Sequence, residues 1–332
     1  MTRYSKQCIF LGIDRDSALR RAKVAVVGLG ATGSVIASWL ARAGVGHLTL
    51  IDRDLVELTN LQRQILYSEA DIGTPKATAA VNILQRANSE IEVVPLIADL
   101  TSGNAQDVLA GYDLIMDGTD NFEARYLIND ISIARQIPWI YCGAIGSEAM
   151  VWPIVLPQTP CLRCLMEQPP PAGDIDTCDS TGVLGPAVGV AASWSALEAI
   201  KILSGEEPAT HLVRFDLWKN ERQFISPPAS RCKYCINKIT EFLDDKWVVK
   251  ASTLCGLDGV QIRINPPGNL DLEQFRNRLQ ARTGTDWKAT PHTLTGTEGQ
   301  LAITIFKDGR ALIHGDITPE RARSWYTEVV GC

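Results

Sequence analysis

Up to Gly143 the chain alternates short apolar, β-branched runs with longer stretches in which apolar residues recur every three or four positions, the pattern of strands interleaved with helices. Val24-Ala25-Val26-Val27 and His47-Leu48-Thr49-Leu50-Ile51 are the first two strands, with further ones predicted near 92–97, 113–117 and 138–142. Helices are predicted near 33–43, 75–88, 104–109 and 123–135. Such alternation builds a mostly parallel sheet covered by helices on both faces. Past Gly143 the character turns antiparallel: Ala149 to Leu156 and His211 to Asp216 read as strands. A helix over Pro186–Leu203 joins them, rich in Ala, Val and Leu with few charges, and therefore suited to burial on most sides. Glu167–Thr181, with Pro169-Pro170-Pro171 and Asp174, Asp176 and Asp179, reads as an exposed crossover loop.

The composition shifts after Cys235, and the charged Asp244-Asp245-Lys246 places a domain boundary near residue 246. Residues 1–246 then form one domain and 247–332 a small α+β domain. In the latter, Val260–Ile264 alternates as a strand and Asp271 can cap a helix over Leu272–Arg282. Leu301–Phe306 and Arg310–Ile313 flank the turn Lys307-Asp308-Gly309 as a hairpin, and Thr318-Pro319-Glu320 starts a last helix. No internal repeat is visible.

Composition narrows the functional classes. The 332 residues are 45% hydrophobic with mean hydropathy +0.01, ordinary for a globular chain. A net charge of −6 and a pI near 5.4 argue against a dedicated nucleic-acid or anionic-membrane surface. The N-terminal residues are not followed by a signal-type apolar core, and no stretch reads as the ~18 apolar residues of a spanning helix. A cytosolic, cytoplasmic protein without a membrane or nucleic-acid partner is expected. Four of the nine cysteines form two Cys-x-x-Cys pairs, which favours metal or redox chemistry in a reducing compartment.

The candidate chemistry begins at Gly28-Leu29-Gly30-Ala31-Thr32-Gly33, between the first strand and first helix. Gly28 allows the turn, Gly30 lets backbone N–H groups approach phosphate, and Gly33 lets the helix pack on the sheet, a Rossmann-like arrangement. Asp52, 24 residues after Gly28, ends the second strand, where an acid can bond ribose hydroxyls. Asn60, Arg63, Gln64 and Lys76 follow. A nicotinamide enzyme needs little cationic charge here, whereas cleaving ATP needs Arg or Lys beside a metal. Asp117-Gly118-Thr119-Asp120-Asn121 ends another strand, and Asp120 is the better Mg²⁺ carboxylate, although it or Thr119 could simply cap the next helix. Lys76 opens a helix, where a surface salt bridge is the ordinary fate of a lysine. Cys161-x-x-Cys164 and Cys232-x-x-Cys235, with 67 residues between the pairs, can close a tetrahedral structural Zn²⁺. Four reduced cysteines or two redox pairs are the alternatives. No Ser-His-Asp set is evident, and His47, His211, His292 and His314 read as structural. An NAD-dependent oxidoreductase on the same glycine loop, or a noncatalytic scaffold, remains as an alternative to ATP chemistry.

These motifs, with Arg3-Tyr4-Ser5-Lys6-Gln7, Gly73-Thr74-Pro75-Lys76 and Gly182-Val183-Leu184-Gly185-Pro186, resemble the ThiF/MoeB family of adenylyltransferases, relatives of ubiquitin-activating enzymes, over about residues 3–243. The resemblance implies that the glycine loop and Asp52 hold ATP, that Asn60, Arg63 and Lys76 contact its phosphates, and that Asp120 serves Mg²⁺. Gln64 and Asn121 fall inside the same matched motifs. The implied reaction joins the Gly-Gly carboxylate of a ubiquitin-like sulfur carrier to AMP, releasing pyrophosphate, before conversion to a thiocarboxylate in thiamin, molybdopterin or related pathways. The extension after 246 favours thiamin. A homodimer with composite sites is implied, as is a sulfur donor such as a cysteine desulfurase. Cys178 matches the family's loop cysteine that can bond the carrier or its sulfur, although flanking aspartates raise a thiol pKa. Lys6 stands where the family usually has an arginine that reaches the partner subunit's ATP. Lysine keeps the charge but loses bidentate geometry, and Arg3 is the alternative.

Overall fold

The computed structural model describes residues 3–170, 181–227, 231–244, 248–253, 259–265, 269–290 and 293–330. They divide into two compact units. The larger is built from Met1–Thr119, Ala124–Glu167 and Val183–Leu243; the smaller contains Asp120–Glu123, Gln168–Gly182 and Asp244–Cys332.

In the larger unit, helices α1 (Ser5–Leu11) and α2 (Ile13–Arg21) precede β1 (Lys23–Val27). There follow α3 (Ala31–Ala43), β2 (His47–Ile51), α4 (Lys76–Ala87), β3 (Glu92–Leu96), α5 (Ala105–Val108), β4 (Leu114–Asp117) and α6 (Phe122–Arg135). The strands β1 to β4 pair in parallel, as does β4 with β5 (Trp139–Ile145). From there β6 (Glu148–Ile154), the short helix α7 (Leu162–Leu165), α8 (Gly185–Leu203), β7 (Leu212–Asp216), β8 (Glu221–Ile225) and α9 (Lys233–Asn237) complete the unit. The eight-stranded order is β3-β2-β1-β4-β5-β6-β7-β8, with every pairing from β5 onward antiparallel. The strand order reverses beside β1, so the carboxyl ends of β1 and β4 mark the position at which open α/β sheets take ligands.

The apolar runs produce this sheet because their residues face helices on both sides: Val24, Ala25 and Val26 are fully buried, as are Leu114, Ile115 and Met116. Helix α8 is long and apolar enough by composition to cross a membrane, contrary to the sequence expectation that no stretch was. It packs instead on α3, β5 and β6, burying Ala187, Ala191, Ala192, Ala196 and Ala199. Small side chains let it lie close to the sheet.

In this unit α1, α2, α7, α9 and β8 escaped the periodicity. β8 is an exposed edge strand, Glu-Arg-Gln-Phe-Ile, whose polar content hides it until β7 supplies a partner. α1 buries no residue, yet its N-terminal half is tied down. The Tyr4 hydroxyl accepts a bond from Asn88 Nδ2 at 2.7 Å, Arg20 lies 3.3 Å over the Tyr4 ring, and Gln7 donates to Asp16 and to the Ala43 carbonyl. Tyr4 and Gln7 of the N-terminal motif thus anchor structure.

The smaller unit contains β9 (Val248–Thr253), β10 (Gly259–Asn265), α10 (Leu272–Thr283), β11 (Lys288–Ala289), β12 (Thr293–Glu298), β13 (Leu301–Phe306), β14 (Ala311–His314) and α11 (Pro319–Val330). Its antiparallel order is β11-β12-β13-β14-β10-β9. The strands β9, β11 and β12 were not anticipated; β12, Thr-Leu-Thr-Gly-Thr-Glu, carries one large apolar residue and is recruited by pairing with β13. The Asp271 cap forms, accepting from the Glu273 and Gln274 N–H groups. The hairpin between β13 and β14 turns at Gly309, whose φ is +86°. Leu294, Ile303, Ile305, Phe275, Trp287 and Tyr326 belong to the core of this unit.

Candidate active site

β1 runs into α3 through a turn closed by backbone packing. Gly28 has φ +81°, and a Cβ on it would stand 2.6 Å from the Gly118 carbonyl oxygen. A Cβ on Gly33 would stand 1.8 Å from the Gly28 oxygen, and one on Gly118 2.4 Å from that same oxygen. Three glycines therefore lock the loop against the end of β4. Sequence reading quoted Gly118 but gave it no role. Gly30 differs: the nearest atom to its would-be Cβ is Gln64 Nε2 at 3.8 Å. No side chain caps α3 at this residue, so first-turn N–H groups there remain suited to an anion.

Asp52, delivered by β2, is buried and bound to this loop. Its Oδ2 accepts the Leu29 N–H at 2.6 Å and its Oδ1 the Asp54 N–H at 2.7 Å, leaving each oxygen a second lone pair. Burial pushes its pKa up; Lys76 opposes that shift and Asp54 adds to it. The Lys76 side chain is 9% exposed, and its Nζ stands 3.4 Å from Asp54 Oδ2. Tyr67, which the sequence reading passed over, donates its hydroxyl to the Leu29 carbonyl at 3.0 Å and lies 3.4 Å from the Lys76 carbonyl. Its only sequence signal is an aromatic residue following Ile65 and Leu66 in a polar connection.

Gln64 is buried, and its Oε1 has no hydrogen-bond partner among the described residues. A buried amide oxygen without a partner beside an open glycine loop calls for a hydrogen-bond donor, a hydroxyl or a water. Asn60 is buried in a 3-10 turn over Leu58–Asn60, where its Oδ1 accepts the Glu57 N–H. Arg63 is half-buried, its Nη1 donating to the Thr59 carbonyl at 3.1 Å; among the described residues no carboxylate pairs with it. The structure thus gathers Asp52, Gln64 and Lys76 around the loop and sets Asn60 and Arg63 on the adjoining turn.

Asp117 is fully occupied. It accepts from the Thr119 N–H and hydroxyl through Oδ1, and from Arg125 Nε at 2.9 Å through Oδ2. Arg125, buried over the Tyr141 ring, also donates to the Cys142 and Thr119 carbonyls, fastening β4 to β5. Asp120 is exposed and Asn121 half-buried, both just before α6. Lys6 is exposed on α1, whereas Arg3 donates to the Ala87 carbonyl at 2.7 Å and pairs with Glu90. Cys178 and His292 lie outside the described residues. His47 bonds Glu92 and Thr49, and His211 packs edge-on against Phe224.

The two cysteine pairs meet. Cys161 lies 3.8 Å from Cys164 and 3.5 Å from Cys232; Cys235 lies 3.7 Å from Cys164 and 3.8 Å from Cys232, sulfur to sulfur. All four sulfurs fall within 4.8 Å of one another. Tetrahedral Zn²⁺ with bonds of about 2.3 Å sets its sulfurs about 3.8 Å apart, so the donor set fits. A hydrogen bond from Cys161 lowers the Cys164 thiol to about 5, while that bond and burial push Cys161 up. One thiolate is thus easily held, and four require a cation. Arg163, between the first pair, is fully buried over the Tyr234 ring and bonds Glu241 at 3.0 Å. Nothing in the spacing of the cysteines pointed to it.

Comparison with known proteins places this geometry. The model of the ThiF family matches residues 4–236. The sulfur carrier protein ThiS adenylyltransferase of Bacillus subtilis is 38% identical, over 99% of this chain and 99% of its own. The adenylyltransferase and sulfurtransferase MOCS3 of Culex quinquefasciatus is 41% identical over 62% of this chain, which spans about half (48%) of that relative. In fold, the crystal structure of E. coli MccB with ATP matches with a TM-score of 0.64 at 24% identity, over 71% of this chain and 75% of that one.

Proposed function

The chain belongs to the ThiF family, and on that premise we propose that it uses ATP to adenylate the C-terminal Gly-Gly carboxylate of a ubiquitin-like sulfur carrier, releasing pyrophosphate. The observation that carries this reading is the glycine loop, open at Gly30, with the largely buried cation of Lys76 beside it. A carboxylate becomes an acyl donor once AMP is its leaving group, and its attack on the α-phosphate needs alignment and charge neutralisation rather than a protein base. The loop glycines Gly28, Gly30 and Gly33 admit the phosphates. Asp52 offers its remaining lone pairs to the ribose. Arg63 and Lys76 bind and neutralise the triphosphate, while Asn60 and Gln64 contact the nucleotide as neutral amides, the free Gln64 Oε1 accepting from a donor such as a ribose hydroxyl or a water. Asp120, with Asn121 beside it, would hold Mg²⁺, which supplies further charge compensation on the phosphates.

Zn²⁺ on Cys161, Cys164, Cys232 and Cys235 would be structural, since four sulfurs leave no open position. The 38% identity along nearly the whole chain to a ThiS adenylyltransferase supports a thiamin-pathway carrier; a cysteine desulfurase as sulfur donor, and Cys178 as the residue to bond the carrier or its sulfur, complete the proposal. We assign adenylation to residues 1–246 and carrier or donor recognition to 247–332, in a cytoplasmic homodimer. Because Arg3 is engaged by Ala87 and Glu90 of its own chain, Lys6 is the better choice to reach a second copy's nucleotide. Exchange of labelled pyrophosphate into ATP tests the reaction: exchange that depends on a ThiS-like carrier ending in Gly-Gly is expected, and its absence with every ubiquitin-like carrier offered would refute the proposal.

A further inference from the structure

We propose that Asp54 is the resident counter-ion of Lys76, which the lysine exchanges for phosphate when nucleotide binds. The inference rests on the ATP reading above and adds a positioning residue to it.

Lys76 is too buried to be left uncompensated: its side chain is 9% exposed, and a cation so placed needs a negative partner or loses its charge. Asp54 supplies one at 3.4 Å, and its backbone carbonyl accepts the Lys76 N–H at 2.9 Å. The same residue donates its own N–H to Asp52, which holds the Leu29 N–H of the glycine loop. Asp54 therefore fixes the lysine by backbone and by charge, at the loop where an anion would bind.

The two partners differ in how they tolerate separation. Asp54 is 39% exposed, so water can solvate it once the ammonium turns away. Its other oxygen, Oδ1, lies 3.7 Å from Arg53 Nε, and Arg53 is itself held by Asp99 at 2.8 Å. After Lys76 leaves, Asp54 keeps a cation beside it. Lys76 has no comparable access to water; the buried Asp52 carboxylate stays close enough to act on it, and a phosphate replaces the contact given up with Asp54. Asp52, whose carboxyl burial pushes toward the neutral form and Lys76 toward the ionised one, keeps its backbone bonds throughout. Binding an anion at this lysine thus competes with an internal carboxylate, and removing that competitor strengthens binding. A residue that only held the fold together would have the opposite effect.

The test is equilibrium titration of the intact protein with α,β-methylene-ATP, with and without Mg²⁺. Asp54→Asn, which retains the backbone bonds, is expected to lower the Kd about two- to fivefold, the range that a partly exposed ion pair corresponds to. Asp54→Glu, which restores the charge, is expected to return it to the wild-type value. Asp54→Ser provides a second neutral variant, and thermal unfolding monitors the fold of each. Unchanged or weaker binding by folded Asp54→Asn or Asp54→Ser overturns the proposal, as does equal tightening by Asp54→Glu. A loss confined to the Mg²⁺ titration also overturns it and makes Asp54 a metal ligand. Lys76→Gln separates the two levels: undiminished analogue binding by that variant refutes the nucleotide reading itself, whatever Asp54 does.

Discussion

A methyl group at Gly118 would collide with the Gly28 carbonyl oxygen at 2.4 Å and the Gly33 Cα at 2.6 Å, all backbone that cannot swing aside. Gly118→Ala is therefore expected to cost about 1–3 kcal/mol of stability, read as a fall in the urea midpoint. Gly30→Ala meets only the Gln64 amide at 3.8 Å, so stability should change by less than about 1 kcal/mol. Its ATP affinity should nevertheless drop on the order of tenfold, the equivalent of roughly one lost charge-assisted hydrogen bond, measurable by titration. Equal effects at the two glycines would contradict the division between a packing glycine and a ligand glycine. At this scale the close packing at Gly28 and Gly33 and the placing of Asp52 at the end of β2 were legible, because a glycine loop between strand and helix fixes their spacing, whereas Lys76 was picked out only through its place in a family motif. Tyr67, Gly118 and Arg125 were not: each acts through a partner distant in sequence or through a clash that exists only after β1 and β4 align.

Elements show the same split. The cysteine spacing announced a four-sulfur site, yet only the packing of α7 beside α9 brings the sulfurs to tetrahedral separations and slides Arg163 onto Tyr234. The purified protein should carry about one Zn²⁺ per chain. Cys235→Ser, or removal of the metal by a chelator, should lower the thermal midpoint by roughly 5–10 °C, because metal-binding energy is folding energy. Full occupancy with no loss of midpoint on removal would make the ion incidental. Periodicity located β1, β2 and α3 because burial repeats along them; it missed β8, which stays exposed at the sheet edge, and β12, which exists by virtue of its neighbour. It overrated the burial of α8: the helix is apolar enough by composition to span a membrane, yet it packs on α3, β5 and β6 along one face and leaves Leu197 49% exposed on another.

For the whole molecule, α1 leaves Ile9 79% and Phe10 86% exposed, and Ile13 at the head of α2 is 76% exposed. Three such side chains over five residues suit a protein contact better than water. If they serve the homodimer, Phe10→Asp should sediment as a monomer while unfolding at the wild-type temperature, and its carrier-dependent exchange should fall if Lys6 acts on a second copy's nucleotide. A wild-type protein that is already monomeric would remove the homodimer proposal. The sequence alone determined the parallel α/β alternation, the antiparallel continuation, the glycine loop with its acid and cations, and the two cysteine pairs, since each follows from local periodicity or from residue types that one chemistry demands. Tertiary structure alone decided which carboxylate Lys76 faces, which glycines touch, which amide is left without a partner and which strands exist by pairing, because those depend on distances between segments that no local pattern encodes.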